Sequence, residues 1–146
     1  IVTAAHCWRV RAGSSYANSG GTVYHFHSIT VHPNFNKSNF DNDIAILRTN
    51  TDITYGILVK QANIAGSNYK LADNEVVWAV GWGKTSYDSS KSEQLRHVQF
   101  WTINQELCKT RYAMISRDIT DNMLCAGWVD VGVRDQCQGD SGGPSR

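Results

Sequence analysis

The most informative segment of the 146-residue sequence is Asp135-Gln136-Cys137-Gln138-Gly139-Asp140-Ser141-Gly142-Gly143-Pro144. It sets a serine between glycines in a tight turn, where the hydroxyl of Ser141 can be held exposed and neighbouring backbone N–H groups are free to bind an anion. Taken alone, the segment also fits a Gly-rich surface turn that follows a disulfide cysteine. A serine hydroxyl is a poor nucleophile at neutral pH, so a catalytic role requires a base elsewhere in the chain.

Two earlier segments supply the missing groups, Thr3-Ala4-Ala5-His6-Cys7 and Asp41-Asn42-Asp43-Ile44-Ala45-Ile46-Leu47. Alone, a histidine is more often structural, and an acidic residue before a buried strand is usually a turn or cap residue. Together they fit one chemistry, because an imidazole can accept the serine proton and a buried carboxylate can fix its tautomer. The order His, Asp, Ser distinguishes double β-barrel peptidases from subtilisins and α/β-hydrolases.

These three segments resemble the signature segments of the chymotrypsin-like serine peptidases, in particular the trypsin branch and the secreted digestive trypsins of insects. Two further stretches, Gly81-Trp82-Gly83 and Cys125-Ala126-Gly127-Trp128, match landmarks of the same family. The resemblance extends over essentially the whole chain. The chain starts and stops close to motif segments, so we expect a partial sequence, and we expect residues 1–146 to be inactive when expressed alone.

The resemblance implies a role for each reactive residue. His6 is expected to be the general base and acid, and Asp43, rather than Asp41, the carboxylate that orients it. Ser141 is expected to be the nucleophile, and the backbone N–H groups of Gly139 and Ser141 the oxyanion hole. Asp140 matches the carboxylate that pairs with a newly cleaved N-terminal amine during zymogen activation.

Substrate choice is expected to depend on Asp135, six residues before Ser141, because a carboxylate at the floor of a pocket demands a cationic partner such as Arg or Lys. The resemblance also assigns substrate binding to Gln138 and Tyr112. The alternatives are a surface aspartate at position 135 and a core tyrosine at position 112. Protein or peptide substrates and proteinaceous trypsin inhibitors are the implied partners, and no cofactor is implied.

The spacing of β-branched and aromatic residues predicts mostly strands. One short helix is predicted over 105–112, with Asn104 as its N-cap and Glu106 in its first turn. With the resemblance, the expected fold is all-β, with two antiparallel Greek-key β-barrels truncated at both ends, residues 1–70 in the first and 71–146 in the second. The predicted strands are Val23–His32, Ile44–Leu47, Glu75–Gly81, Leu95–Ile103 and Asn122–Trp128.

The four cysteines are Cys7, Cys108, Cys125 and Cys137, without the Cys-x2-Cys pair of a zinc ribbon. Four cysteines allow three pairings. The resemblance implies a Cys108–Cys125 disulfide and no partner for Cys7 or Cys137 within these residues.

The balance of charges limits the classes of partner. Fourteen Lys+Arg against thirteen Asp+Glu give a formal net charge of +1, which disfavours nucleic acid and anionic membranes as partners. The sequence contains no run of 18 apolar residues, so no transmembrane helix is expected. It also contains no metal-binding motif. The resemblance implies a secreted, extracellular protein, located in the gut lumen if digestive, and we expect a monomer. The alternative is a non-catalytic homologue that uses the same fold as a binding or regulatory module.

Overall fold

The computed structural model describes residues 1–6, 10–129 and 136–144. Strands predominate among its regular elements, and they are joined by long turn-rich segments. A single α-helix is present among the described residues, as the sequence predicts. The elements in chain order are β1 (Val2–Thr3), β2 (Val10–Ala12), β3 (Thr22–Tyr24), β4 (Phe26–Val31), β5 (Ala45–Thr49), β6 (Val76–Gly81), β7 (Arg96–Thr102), α1 (Gln105–Ala113) and β8 (Ala126–Gly127).

The strands form three antiparallel sheets. In the first half of the chain β5 pairs with both β1 and β4, while β2 and β3 form a separate two-stranded sheet. In the second half β7 pairs with both β6 and β8. The predicted all-β class is confirmed, although within the described residues none of the sheets closes into a barrel.

The continuous strand predicted over Val23–His32 is wrong, because the segment is divided between two sheets. Tyr24 is buried at the end of β3, and β4 begins at Phe26. Within β4 the register shifts between Phe26 and Ser28, so His27 is an extra residue opposite β5. Such a bulge leaves one residue unpaired and disrupts the hydrogen-bond ladder locally.

The prediction of a buried strand at Ile44–Leu47 is half correct. Ala45 and Leu47 are buried, whereas Ile44 and Ile46 remain 46% and 59% exposed. Successive side chains of a strand point to opposite faces, and among the described residues only one face of this sheet is covered. Where β5 pairs with β1, Thr3 lies opposite the buried Ala45 and Val2 lies opposite the exposed Ile46.

The second half is built around Val77, Ala79 and Phe100, which are buried against one another at the β6–β7 pair. Four partly buried side chains pack on this cluster: Leu71, Val98, Ala126 and Trp128. The strand predicted over Asn122–Trp128 is limited to Ala126–Gly127. Its first residues form a turn instead, in which the N–H of Met123 donates to the carbonyl of Thr120.

Helix α1 begins as the sequence predicts. The side chain of Asn104 accepts a hydrogen bond from the N–H of Leu107 at 3.1 Å, which satisfies a donor that a helix start leaves unpaired. Cys108 on the buried side of α1 forms a disulfide with Cys125, and the two Cα atoms are 6.4 Å apart. The predicted pairing is therefore confirmed. Cys137 forms no disulfide with any described residue, and the prediction for Cys7 lies outside the described residues.

Candidate active site

His6 and Asp43 form a direct pair. His6 Nδ1 lies 2.7 Å from Asp43 Oδ2, and Asp43 Oδ1 accepts a second hydrogen bond from the N–H of Ala5 at 2.8 Å. An ionised carboxylate only accepts hydrogen bonds, so Nδ1 must carry the ring proton. The lone pair of the neutral imidazole is then on Nε2, which is the nitrogen required to accept a proton from a nucleophile.

The segment before Asp43 adopts an unusual backbone. Phe40 and Asn42 both have positive φ angles, 60° and 55°. Asparagine tolerates this region, but a bulky side chain rarely adopts it. The ring of Phe40 meets His6 edge to face, with ring centroids 5.3 Å apart and planes at 69°. The same segment therefore contacts His6 through both an aromatic ring and a carboxylate.

Ser141 lies exposed in a tight turn. The N–H of Asp140 donates to the carbonyl of Cys137, and the N–H of Gly143 donates to the carbonyl of Asp140, each at 3.0 Å. Gly139 has φ +109°, a conformation that L side chains rarely adopt. Neither the N–H of Gly139 nor that of Ser141 donates to any described residue. Two backbone donors in one turn are thus available to an anion, as an oxyanion hole requires.

The side chain of Asp140 points away from solvent into a cradle of backbone donors. Asp140 Oδ1 accepts from the N–H of Gly83 at 2.7 Å, and Oδ2 accepts from the N–H of Cys137 at 3.0 Å. A Cβ added at Gly81 or Gly83 would overlap this carboxyl group. No contact among the described residues tests the activation pairing of Asp140, which stays a prediction.

A hydrogen bond ties the nucleophile turn to the strand that leads to His6. Thr3 Oγ1 donates to the carbonyl of Gly142 at 3.0 Å, across 139 positions of the sequence. It links the residue after Ser141 to β1, three residues before His6. Among the described residues Ser141 and His6 share no hydrogen bond.

The residues predicted to bind substrate are only partly placed. Asp135 lies outside the described residues. Gln138 is exposed, and its carbonyl accepts from the N–H of Lys84 at 3.1 Å. Tyr112 is 45% exposed at the end of α1 and lines a cavity of about 880 Å³ whose wall also includes Cys137 and Asp140. Both the substrate-binding role of Tyr112 and its core alternative stay untested.

Asp41 makes contacts that the sequence does not reveal. Its Oδ1 accepts from Thr120 Oγ1 at 2.6 Å and from Asn122 Nδ2 at 3.0 Å, while Oδ2 accepts from Asn42 Nδ2 at 3.0 Å. The hydrogen bond from Thr120 is the largest of the causes that hold the pKa of Asp41 below its ordinary value. No local sequence pattern predicts this contact, because Asp41 and Thr120 are 79 positions apart.

In the described ranges, no three His, Cys, Asp or Glu side chains are grouped so that they could hold a metal ion. The one helix there is too short to cross a membrane.

The chain is similar to a well-defined group of proteins. The Trypsin family model matches residues 1–145. Alkaline trypsin C of Manduca sexta is 58% identical over 152 residues, which cover 99% of this chain and 59% of the relative. Trypsin CFT-1 of Choristoneura fumiferana is 55% identical with the same coverage. Achelase-1 of Lonomia achelous is 54% identical over 99% of this chain and 73% of the length of Achelase-1. The chain thus spans about 59% of the length of the first two relatives.

Proposed function

This chain belongs to the trypsin family, and from that premise we propose that the protein is a serine endopeptidase that cleaves peptide bonds through an acyl-enzyme. The family has an all-β fold with two barrels, and we assign residues 1–70 to the first barrel and residues 71–146 to the second. His6 and Asp43 then come from one barrel and Ser141 from the other.

The reaction follows from the groups in the site. Ser141 Oγ attacks the carbonyl carbon of the scissile bond while His6 Nε2 takes its proton, and the pair with Asp43 stabilises the resulting imidazolium. The oxyanion of the tetrahedral intermediate accepts hydrogen bonds from the N–H groups of Gly139 and Ser141. The intermediate collapses as His6 donates its proton to the leaving amine. Water, activated by the same imidazole, then hydrolyses the acyl-enzyme.

The observation that carries this proposal is the His6–Asp43 pair. The distance of 2.7 Å between His6 Nδ1 and Asp43 Oδ2, together with the bond from the N–H of Ala5, fixes the imidazole in the tautomer that a general base needs. Side chains on a surface rarely hold one geometry without such a second anchor. The turn that holds Ser141 is independently linked to β1 through Thr3 and Gly142.

We further propose cleavage after Arg or Lys, with Asp135 as the charged floor of the specificity pocket and Gln138 and Tyr112 beside the substrate. The trypsin family supports this assignment, because the relatives in Manduca and Choristoneura bear the name trypsin. A secreted, extracellular location and inhibition by proteinaceous trypsin inhibitors follow from the same membership. The Cys108–Cys125 disulfide supports secretion, since disulfides persist in oxidising compartments.

Paired substrates test the proposal. In the full-length activated protein, we expect kcat/KM for an Arg substrate to exceed that for the matched Phe or Leu substrate, and Asp135→Ser to remove that preference while acylation by small reactive esters continues. Ser141→Ala or His6→Ala is expected to lower kcat about 10⁶-fold. A serine-directed covalent probe that leaves Ser141 unlabelled would instead support the non-catalytic binding module, and equal kcat/KM for Arg and Phe substrates would exclude the basic specificity.

A further inference from the structure

The segment Phe40–Asp43 is held in an uncommon backbone conformation. Phe40 and Asn42 have backbone conformations that are uncommon for residues other than glycine. Such conformations persist only where the surrounding structure over-determines them, and they cluster at active sites. The segment Phe40–Asp43 therefore needs contacts beyond its own backbone.

Asp41 provides those contacts, and they reach into the other half of the chain. Its Oδ1 receives hydrogen bonds from Thr120 Oγ1 and Asn122 Nδ2, at 2.6 and 3.0 Å. Asp41 and Thr120 are both partly shielded from solvent. A carboxylate that accepts several side-chain hydrogen bonds is held more firmly than an exposed ion pair, because charge-assisted bonds are the stronger class.

The turn at Thr120 is itself anchored. Gln105 Nε2, on the first residue of α1, donates to the carbonyls of Thr120 and Met123 at 2.9 and 3.1 Å. Helix α1 is in turn joined to the residue before β8 by the Cys108–Cys125 disulfide. Asp41 therefore accepts hydrogen bonds from a turn that α1 holds in place. These hydrogen bonds restrain the position of Asp41 in turn.

We propose that Asp41 is a positioning residue, which clamps the Phe40–Asp43 segment to the Thr120–Asn122 turn and thereby holds Asp43 and Phe40 against His6. This inference rests on the proposed function, since it assigns Asp41 to the same reaction. Asp41 lies two residues before the carboxylate that orients the imidazole. A displacement of about 1 Å in a catalytic group can cost 10²-fold in rate, so loosening this segment reduces turnover while substrate binding is preserved.

Two matched pairs of variants test the clamp in the active protein. Thr120→Val removes the hydroxyl and keeps the shape, whereas Thr120→Ser keeps the hydroxyl. Asp41→Ala removes both acceptor oxygens, whereas Asp41→Asn keeps an oxygen for Thr120 and Asn122. We expect Thr120→Val and Asp41→Ala to lower kcat for a small Arg ester about 10- to 100-fold with KM within about twofold, and Thr120→Ser and Asp41→Asn to restore most of it.

The downfield NMR resonance of the His6 Nδ1 proton provides a readout that does not need turnover. We expect it to shift or broaden in Thr120→Val and Asp41→Ala, at temperatures where both remain folded, and to persist in the two conservative variants. The proposal is overturned if Thr120→Val and Asp41→Ala keep both the resonance and kcat within twofold of the wild type. It is also overturned if kcat falls only in proportion to the unfolded fraction.

The same measurements separate this inference from the proposed function. A wild-type protein that neither turns over the ester nor reacts at Ser141 with a serine-directed probe contradicts the proposed function. In that case the His6 resonance in the four variants still decides whether the clamp orders the His6–Asp43 pair. An active wild type with unaffected variants contradicts the clamp alone.

Discussion

The carboxylate of Asp140 accepts a hydrogen bond from the N–H of Gly83 at 2.7 Å, which ties the residue before the nucleophile to the turn after β6. The carbonyl of Asp140 accepts from the N–H of Gly143, so the same residue also closes the turn that carries Ser141. Movement of the Asp140 side chain would therefore change the two backbone donors beside Ser141. We therefore predict that Gly83 helps to position these two backbone donors.

Gly83→Ala tests that relationship. An added Cβ would lie 2.5 Å from both carboxylate oxygens of Asp140, so the side chain must leave its cradle. We expect kcat to fall about 10²-fold, comparable to the loss of one oxyanion donor, with KM for a small ester less affected. Gly56→Ala is the control, because a Cβ there meets nothing within 4 Å. Equal kinetics for the two variants would contradict the role of Gly83.

Asp43→Asn tests the tautomer of His6. The amide oxygen can still accept from the N–H of Ala5, but the amide nitrogen then faces His6 Nδ1 as a donor, and the ring must place its proton on Nε2. We expect kcat near neutral pH to fall about 10⁴-fold, the loss typical of this change in such peptidases, with the fold retained. Circular dichroism and thermal unfolding check the fold. Activity within tenfold of the wild type would mean that Asp43 does not orient His6.

Removal of the Cys108–Cys125 disulfide is expected to destabilise the protein. The bond closes a segment of 17 residues between α1 and β8, and in the chain-entropy model a loop of this size contributes about 3 kcal/mol. Denaturant unfolding of the double variant Cys108→Ala, Cys125→Ala measures the loss, and the reduced wild type is the matched comparison. An unchanged free energy of unfolding would show that α1 is held by its other contacts.

Thr102 carries a buried hydrogen-bond network between β7 and the loop before β6. Its hydroxyl donates to the carbonyl of Ala72 at 2.6 Å and accepts from the N–H of Glu75 at 2.9 Å, and the residue is 2% exposed. Thr102→Val leaves both backbone groups without this partner, so we expect a loss of about 1–3 kcal/mol in the free energy of unfolding. Thr102→Ser keeps the hydroxyl and loses only a methyl group. If Thr102→Ser destabilises the protein more than Thr102→Val, packing outweighs the hydrogen bonds.

Stability is expected to depend on Asp41 in acid. The hydrogen bond from Thr120, followed by that from Asn122, lowers the folded-state pKa of Asp41 below the ordinary 3.8. A carboxyl group whose folded pKa is lowered stabilises the fold above its unfolded pKa, and this contribution is lost as the pH falls through the folded pKa. The difference in Tm between the wild type and Asp41→Ala should therefore shrink between about pH 6 and about pH 2. A difference that stays constant over this range would contradict the assignment.

The sequence by itself determined the reactive groups, the family they resemble and most regular elements. The identities and order of His6, Asp43 and Ser141 can be read directly from the sequence. The N-cap of α1 at Asn104 can be predicted as well, because its acceptor oxygen and the donor N–H of Leu107 are three residues apart. Such features can be predicted from the sequence because the residues that produce them lie within a few positions of each other. The strands predicted over Glu75–Gly81 and Leu95–Ile103 are found as β6 and β7, within one residue at each end, because β-branched and aromatic residues favour strands locally.

Only the tertiary structure decided how these elements meet. The break at His25 separates β3 and β4, which join different sheets, and the bulge at His27 lies in the pairing of β4 with β5. No local pattern records either feature. The hydrogen bonds from Thr120 to Asp41, from Gly83 to Asp140 and from Thr3 to Gly142 join residues 79, 57 and 139 positions apart. Hydrogen bonding at such separations depends on the packing of whole elements and not on neighbouring residues, so these contacts emerge only when the chain is folded.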